Sequence, residues 1–350
     1  MKLRTIIAAA REHGASDAHI LQGVPPMLRI GGQVVATKGA PMTSESIRAV
    51  LDETLSAEQR DRFDREWQVC VSVVLADLGR SRLTVYRRNG CPELAIRLSE
   101  PVVRKREQLC LPAIVDELAR KPYGLVVLTG PTGVGKTTTF HYMLDLINAE
   151  RACKIITIED PIEFVHSFKR AIVVQQELLA DVRDFTSALR HVLRQDPDVI
   201  GVGEMRDAET IYTALMAAET GHLVIATLHT PGAVDVVQRM VSAFPSGQQD
   251  EVRFVLANTL QGVIAQQLLP AATDARRVLC CEVLIGTPAV RKQIRDNSTH
   301  QLVSEMQAGR KHGMVTMDHA LLELYQRGEI NYDTAMATAH RPEDIRKRAS

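Results

Sequence analysis

Gly130-Pro131-Thr132-Gly133-Val134-Gly135-Lys136-Thr137-Thr138 fits the pattern G-x-x-x-x-G-K-[ST], and its flanks are those the pattern requires. Before it, Leu125-Val126-Val127-Leu128-Thr129 is a short apolar run of the kind that forms a buried parallel strand. After it, Phe140, Met143, Leu144 and Ile147 recur at three- and four-residue spacing, which predicts a helix with one face on the sheet. The glycines let the backbone turn its N–H groups inward at phosphate oxygens, and the helix N-terminus adds partial positive charge. Lys136 is placed to neutralise β- and γ-phosphates, and the Thr137 hydroxyl to ligate a bridging Mg²⁺. The stretch therefore reads as a phosphate-binding loop.

Working outward, the pattern from Leu111 onward alternates strand and helix. It predicts strands at 125–129, 154–159, 198–203 and 223–228 and helices at 136–148, 184–194 and 208–220, the signature of a doubly wound parallel sheet. Beyond Gly286 the chain reads as helical, at 288–296, 299–308, 316–327 and 331–339. Upstream lies a small mixed domain: a helix over 2–13, a hairpin from Met27–Ile30 through Gly31-Gly32 to Val34-Val35, a helical stretch at 44–66, and strands at 69–75, 82–86 and 94–98. Pro101, Pro112 and the charge run Arg104-Lys105-Arg106-Glu107 mark a linker. The expected organisation is an α/β domain at 1–98, a linker at 99–112, a phosphate-loop core at 113–285 and a helical region at 286–350.

Composition narrows the function. The 350 residues are 45% apolar and 24% charged, an ordinary globular balance with room for about two domains. The 42 basic residues are cancelled by 42 acidic ones, which argues against a broad nucleic-acid or anionic-membrane footprint. Only 4% of residues are aromatic, which disfavours base-stacking platforms. The six cysteines contain no C-x-x-C pair, so neither a zinc ribbon nor a disulfide framework is expected and a reducing cytoplasm is the simplest compartment. Residues 1–11 do not read as a signal peptide, and no stretch approaches a membrane span.

In a parallel sheet the ligand edge lies at the carboxyl ends of the strands, so acidic residues just past a buried strand are candidates. Ile155–Ile158 runs into Glu159-Asp160-Pro161-Ile162-Glu163, and Val199–Gly203 runs into Glu204. Alone, either carboxylate would read as a solvated strand end; beside a phosphate loop, either suits orientation of a water or support of Mg²⁺. His222 and His229 bracket the apolar run 223–228, which takes at least His229 to the ligand edge. Arg82 and Arg97 read by default as solvated residues on strands of the first domain.

Four of these stretches resemble the four boxes of the secretion and type IV pilus motor ATPases. They are Gly130–Thr138, Ile158–Glu163, Asp196–Asp207 and Thr220–Thr230, in the order Walker A, Asp box, Walker B and His box. The similarity extends to Ala15–His19, Pro25–Arg29, Gly79–Arg82 and the C-terminal helices, so it covers nearly the whole chain. Within that superfamily the chain looks most like the retraction ATPases of type IV pili, the PilT type. It is short, lacks a cysteine-ligated zinc module, and Ala289–Asp296 resembles the AIRNLIRE helix of the retraction family through Ala289, Arg291, Ile294 and Arg295.

The resemblance implies a small PAS-like N-terminal domain and a RecA-like core. It implies ATP held by Gly130, Pro131, Thr132, Gly133, Val134, Gly135, Lys136, Thr137 and Thr138, with Mg²⁺ on Thr137 and Glu204. Glu163 would be the catalytic carboxylate, Glu204 would support metal and water, and His222 and His229 would sense nucleotide or a neighbouring subunit. Arg82 and Arg97 would approach a phosphate from the first domain, within a homohexamer whose nucleotides sit at subunit boundaries. Arg291 and Arg295, four residues apart, would project from one helix face as an output surface. Such a ring would act in the cytoplasm on an inner-membrane pilus platform, and through it on the pilin fibre, with no direct contact to nucleic acid. Alternatives are an extension, type II secretion or accessory pilus ATPase, a RecA-like nucleic-acid translocase, and a nucleotide-responsive assembly protein without turnover.

Overall fold

The computed structural model describes residues 2–75, 77–99, 102–274 and 276–349; positions 100 and 101 of the expected linker lie outside the described residues. The chain divides into two compact units, Met1–Val102 with Pro161–Val165, and Val103–Asp160 with His166–Ser350.

The first unit is built on a six-stranded sheet of β1 (Asp17–Ile20), β2 (Met27–Ile30), β3 (Gln33–Ala36), β4 (Gln68–Leu75), β5 (Gly79–Arg88) and β6 (Cys91–Leu98). Its order is β3-β2-β1-β6-β5-β4, and each neighbouring pair is antiparallel. Alternation sorts the two faces. Ser81, Leu83 and Val85 of β5 point inward with Leu94 and Ile96 of β6, against the helices Leu3–Glu12, Ser44–Thr54 and Ala57–Glu66. The helical stretch at 44–66 is two helices because Thr43 and Ser56 each form a capping box, with Ser46 and Gln59. On the opposite face, Arg29, Asp17, Arg97, Arg82 and Ser72 stand in register as a row across five strands. Like charges directly opposite, as at Arg82 and Arg97, are destabilising unless an anion is near.

The second unit holds seven strands: β7 (Gly124–Thr129), β8 (Lys154–Glu159), β9 (Ile172–Glu177), β10 (Val199–Val202), β11 (Leu223–Thr227), β12 (Leu260–Pro270) and β13 (Arg277–Ile285). The order β13-β12-β7-β11-β10-β8-β9 is parallel throughout except for β13, which pairs antiparallel with β12. Parallel strands covered on both faces must be apolar throughout, and all six residues of β7 and all five of β11 are buried. The strands read from sequence at 125–129, 154–159, 198–203 and 223–228 are thus β7, β8, β10 and β11, while β9, β12 and β13 add to that set. Among the described residues no helix is long and apolar enough to cross a membrane, and all six cysteines are free thiols.

Two charged side chains hold the C-terminal helices. Glu282 of β13 is buried, and its carboxylate accepts from the Ala233 N–H at 2.6 Å and the Met317 N–H at 3.0 Å. It thereby satisfies the N-termini of helices Ala233–Ser242 and Met317–Gln326. Arg291, on helix Pro288–Arg295, does not project with its neighbour as the four-residue spacing suggested. Its guanidinium donates to the Gly286 carbonyl at 2.8 Å, the Ala257 carbonyl at 2.9 Å and the Asn258 carbonyl, closing the C-terminus of helix Gln249–Thr259. Burial there pushes its pKa below the ordinary arginine value. Arg295, one turn on, is exposed. Removing a charged donor from part-buried acceptors costs roughly 1.5–3 kcal/mol. Arg291→Ala should therefore lower the unfolding free energy by about 2 kcal/mol in urea titrations, whereas Arg295→Ala should stay within about 0.5 kcal/mol.

Candidate nucleotide site

The site begins where β7 ends. Thr129 is fully buried, and its hydroxyl accepts from the Thr230 N–H at 2.8 Å and donates to the Thr230 carbonyl at 2.9 Å, tying the exit of β7 to the segment after β11. The chain then turns at Gly130 with φ +128°, where a Cβ would lie 2.3 Å from the Gln266 carbonyl of neighbouring β12. No L side chain fits that position. Val134 is buried and anchors the loop, while Gly135, at φ +92°, stands at the helix N-cap.

Helix Lys136–Glu150 starts with no side-chain cap and no acidic residue in its first turn. Its leading N–H groups and the positive end of its dipole are therefore available to an anion. Thr137 and Thr138 lie half-buried in that turn, and Pro131, Thr132 and Gly133 form the exposed rim. Lys136 is only 7% exposed. Its ammonium folds over the loop, donating to the carbonyls of Gly130 at 2.7 Å and Pro131 at 2.8 Å, with His229 Nδ1 at 3.3 Å. Burial pushes the Lys136 pKa down, and the negative charge of Glu204 opposes that shift.

The neighbouring strand ends complete the constellation. His229 Nε2 lies 3.3 Å from Glu204 Oε1, so His229 stands between the lysine and the carboxylate. The other oxygen, Glu204 Oε2, accepts from Arg206 Nε at 2.8 Å, and Arg206 Nη2 is 3.7 Å from Asp160. The Glu204 carboxylate holds the Arg206 pKa above its ordinary value. The backbone fixes this fan: Gly203 N–H donates to Ile158 O at 2.8 Å, Met205 N–H to Thr227 O at 3.0 Å and Leu228 N–H to Leu128 O at 2.9 Å. The three segments after β8, β10 and β11 are thus stitched together beside the loop.

The structure brings Lys136, His229 and Glu204 into one chain of contacts and adds Arg206 and Asp160, to which the sequence alone assigns no role. A signal for them is present: Arg206 follows Glu204 by two residues, and Asp160 opens the turn after β8. His222 stands just before β11, at the opposite end of that strand from His229, with Nδ1 2.9 Å from the Ala217 carbonyl. Glu163, on Pro161–Val165, belongs to the first unit, as do Arg82 and Arg97. Arg82 Nε approaches Cys70 Sγ at 3.0 Å, and Arg97, 67% exposed, donates from Nε to Asp17 at 3.0 Å.

A strand, a glycine loop, a lysine-headed helix and a carboxylate from a neighbouring strand end define a P-loop nucleotide-binding core. The chain belongs to the family described as Type II/IV secretion system protein, which matches residues 108–349. It is 39% identical over 345 residues to the type IV pilus retraction ATPase PilT of Pseudomonas aeruginosa, covering 99% of this chain and 100% of that one. It is 35% identical over 346 residues to the type IV pilus ATPase PilU of the same organism, covering 99% and 91%. A crystal structure of the pilus retraction motor PilT with bound ADP superimposes with a TM-score of 0.93 at 42% identity, covering 99% of each chain.

The loop predicts its own sensitivity. Gly130→Ala forces a Cβ into the Gln266 carbonyl in a backbone region that costs L residues about 1–3 kcal/mol. Nucleotide affinity, measured by calorimetry, should fall at least tenfold; wild-type affinity would show that the loop tolerates displacement.

Proposed function

We propose that this chain is the ATPase subunit of a ring motor that retracts type IV pili. The observation that carries the reading is the correspondence, over nearly the full length of both chains, with a retraction motor crystallised with ADP. The P-loop core described above supports it independently. A second reading, an accessory pilus ATPase, rests on the comparable coverage of the PilU relative.

In this reading the β- and γ-phosphates enter the cradle of N–H groups between Gly130 and Thr138, and Lys136 exchanges its two loop carbonyls for phosphate oxygens. Mg²⁺ would be held by the Thr137 hydroxyl and the Glu204 carboxylate. Phosphate oxygens and water would complete the shell. That is the usual mode of Mg²⁺ in nucleotide sites. When bound, the ion would neutralise charge on the transferring phosphoryl group. Glu163 takes the role of the carboxylate that orients the attacking water, and Glu204, held by His229 and Arg206, supports metal and water. Arg82 and Arg97 lend positive charge from the first unit to a phosphate held by a neighbouring subunit; His229 reports nucleotide state, and His222, at the other end of β11, reports on a neighbouring subunit. An arginine so placed contributes ~10³ to 10⁵ in rate. The subunits form a homohexamer at the cytoplasmic face of the inner membrane, where the ring acts on the pilus platform and, through it, on the pilin fibre.

Steady-state turnover and nucleotide binding in two variants test the reading. Lys136→Ala should lose both binding and hydrolysis, whereas Glu163→Gln should bind ATP normally and turn over at least ~10²-fold more slowly. Near-normal turnover in Glu163→Gln would pass the catalytic role to Glu204. Action across a subunit boundary predicts that rings mixed from Arg82→Ala and Lys136→Ala subunits recover part of the activity, since some boundaries then pair an intact arginine with an intact loop. Absence of recovery at every ratio in assembled rings would count against action across the boundary.

A further inference from the structure

Glu159 is the last residue of β8 and His166 the first residue after Pro161–Val165, so the two mark the stems of the segment that carries Glu163. Both stems converge on one side chain. His141, on the phosphate-loop helix five residues after Lys136, is fully buried. Its Nε2 lies 3.2 Å from Glu159 Oε2 and its Nδ1 lies 2.9 Å from His166 Nε2. Glu159 thus faces one ring nitrogen of His141 and His166 the other, so a single imidazole is engaged from both sides. A second path closes the ring: the His166 N–H donates to Gln175 Oε1 at 2.9 Å, and Gln175 Nε2 donates to Glu159 Oε1 at 2.9 Å. The helix touches His166 once more through Asp145, one turn beyond His141, with Asp145 Oδ1 3.7 Å from His166 Nδ1 and 2.7 Å from Lys169 Nζ.

Glu159 is 3% exposed and additionally accepts from Thr157 Oγ1 at 2.6 Å. Burial pushes its pKa up, but the His141 charge and the hydrogen bonds from His141, Thr157 and Gln175 outweigh that and leave it below its ordinary value. A buried carboxylate with two buried imidazoles is costly relative to apolar packing, and such a network specifies geometry more than it adds stability. The geometry specified here is the separation and direction of two stems relative to the helix that begins at Lys136.

We propose that His141 is a positioning residue: it clamps both stems of the Pro161–Val165 segment to the phosphate-loop helix, so that the placement of Glu163 follows the state of the phosphate loop. The proposal rests on the reading of Glu163 as the catalytic carboxylate. Misplacement of a reacting group by about 1 Å costs ~10²-fold in rate, and the effect of releasing the clamp belongs on that scale.

The test compares full-length wild type with His141→Ala, His141→Asn and His166→Gln. The readouts are hydrogen exchange across residues 160–168, affinity for a non-hydrolysable ATP analogue, and kcat. His141→Ala should raise exchange in that segment at least ~10-fold while the rest of the second unit keeps its protection, leave analogue affinity within about threefold, and lower kcat ~10- to 100-fold. His141→Asn, which retains an acceptor toward His166, should recover part of the protection and part of kcat. Should His141→Ala fail to fold, His166→Gln carries the same readouts with an amide nitrogen near the lost Nε2. Unchanged exchange at 160–168, exchange raised throughout the unit together with lost affinity, or raised local exchange with wild-type kcat would each overturn the proposal. The exchange measurement involves no turnover, so an active Glu163→Gln variant would defeat the catalytic reading while the exchange result still decides the clamp.

Discussion

The buried ammonium of Lys136 is the constraint around which the second unit is arranged. At 7% exposure a cation must be given acceptors, and it finds two loop carbonyls and the ring of His229, with Glu204 beyond. The loop carbonyls are reachable only because Gly130 and Gly135 bend the chain through positive φ. His229 and Glu204 arrive because β11 and β10 are parallel neighbours whose C-terminal ends lie beside the end of β7. A phosphate competing for the ammonium would therefore loosen or redirect contacts to two other strand ends at once. Binding at the loop and the arrangement of the carboxylate are linked by that single side chain.

The loop and its helix were legible in the sequence because backbone geometry there admits few residue types, and because buried parallel strands must be apolar from end to end. The boundaries of β8 coincide with the reading at 154–159, and helix Ala208–Glu219 begins where Asp207 caps it. The antiparallel pair β12–β13 was not legible: its pairing partners are separated from β7 by more than a hundred residues, and no local signal shows which edge of a sheet a strand will join. β9 was not legible for a similar reason: Ile172-Val173-Val174 gives way at once to the polar run Gln175-Gln176-Glu177, with no alternation to mark a strand until the segment is placed beside β8.

Among side chains the same division holds. Lys136, Glu204 and His229 were found from local context, whereas Arg206, Asp160, His141 and His166 take their meaning from partners contributed by other strands or helices. Arg291 shows the converse error. A four-residue spacing places two arginines on one helix face, but it cannot reveal that a neighbouring helix ends against one of them and uses it as a cap. Motif resemblance identified the helix; only the fold separates its supporting arginine from its exposed one.

Arg29, Arg97 and Arg82 stand in one row across the first unit's sheet, with Asp17 between Arg29 and Arg97 pairing with both. The nucleotide core and the near-complete correspondence with a pilus retraction motor support ATP hydrolysis coupled to pilus retraction. The most direct measurement is fibre number and dynamics, by microscopy of labelled pili, in a strain from which this chain's gene has been deleted. A retraction motor predicts cells with surplus fibres that extend and never shorten, and loss of surface motility restored by the intact gene. Cells without fibres would contradict it and assign the chain to assembly.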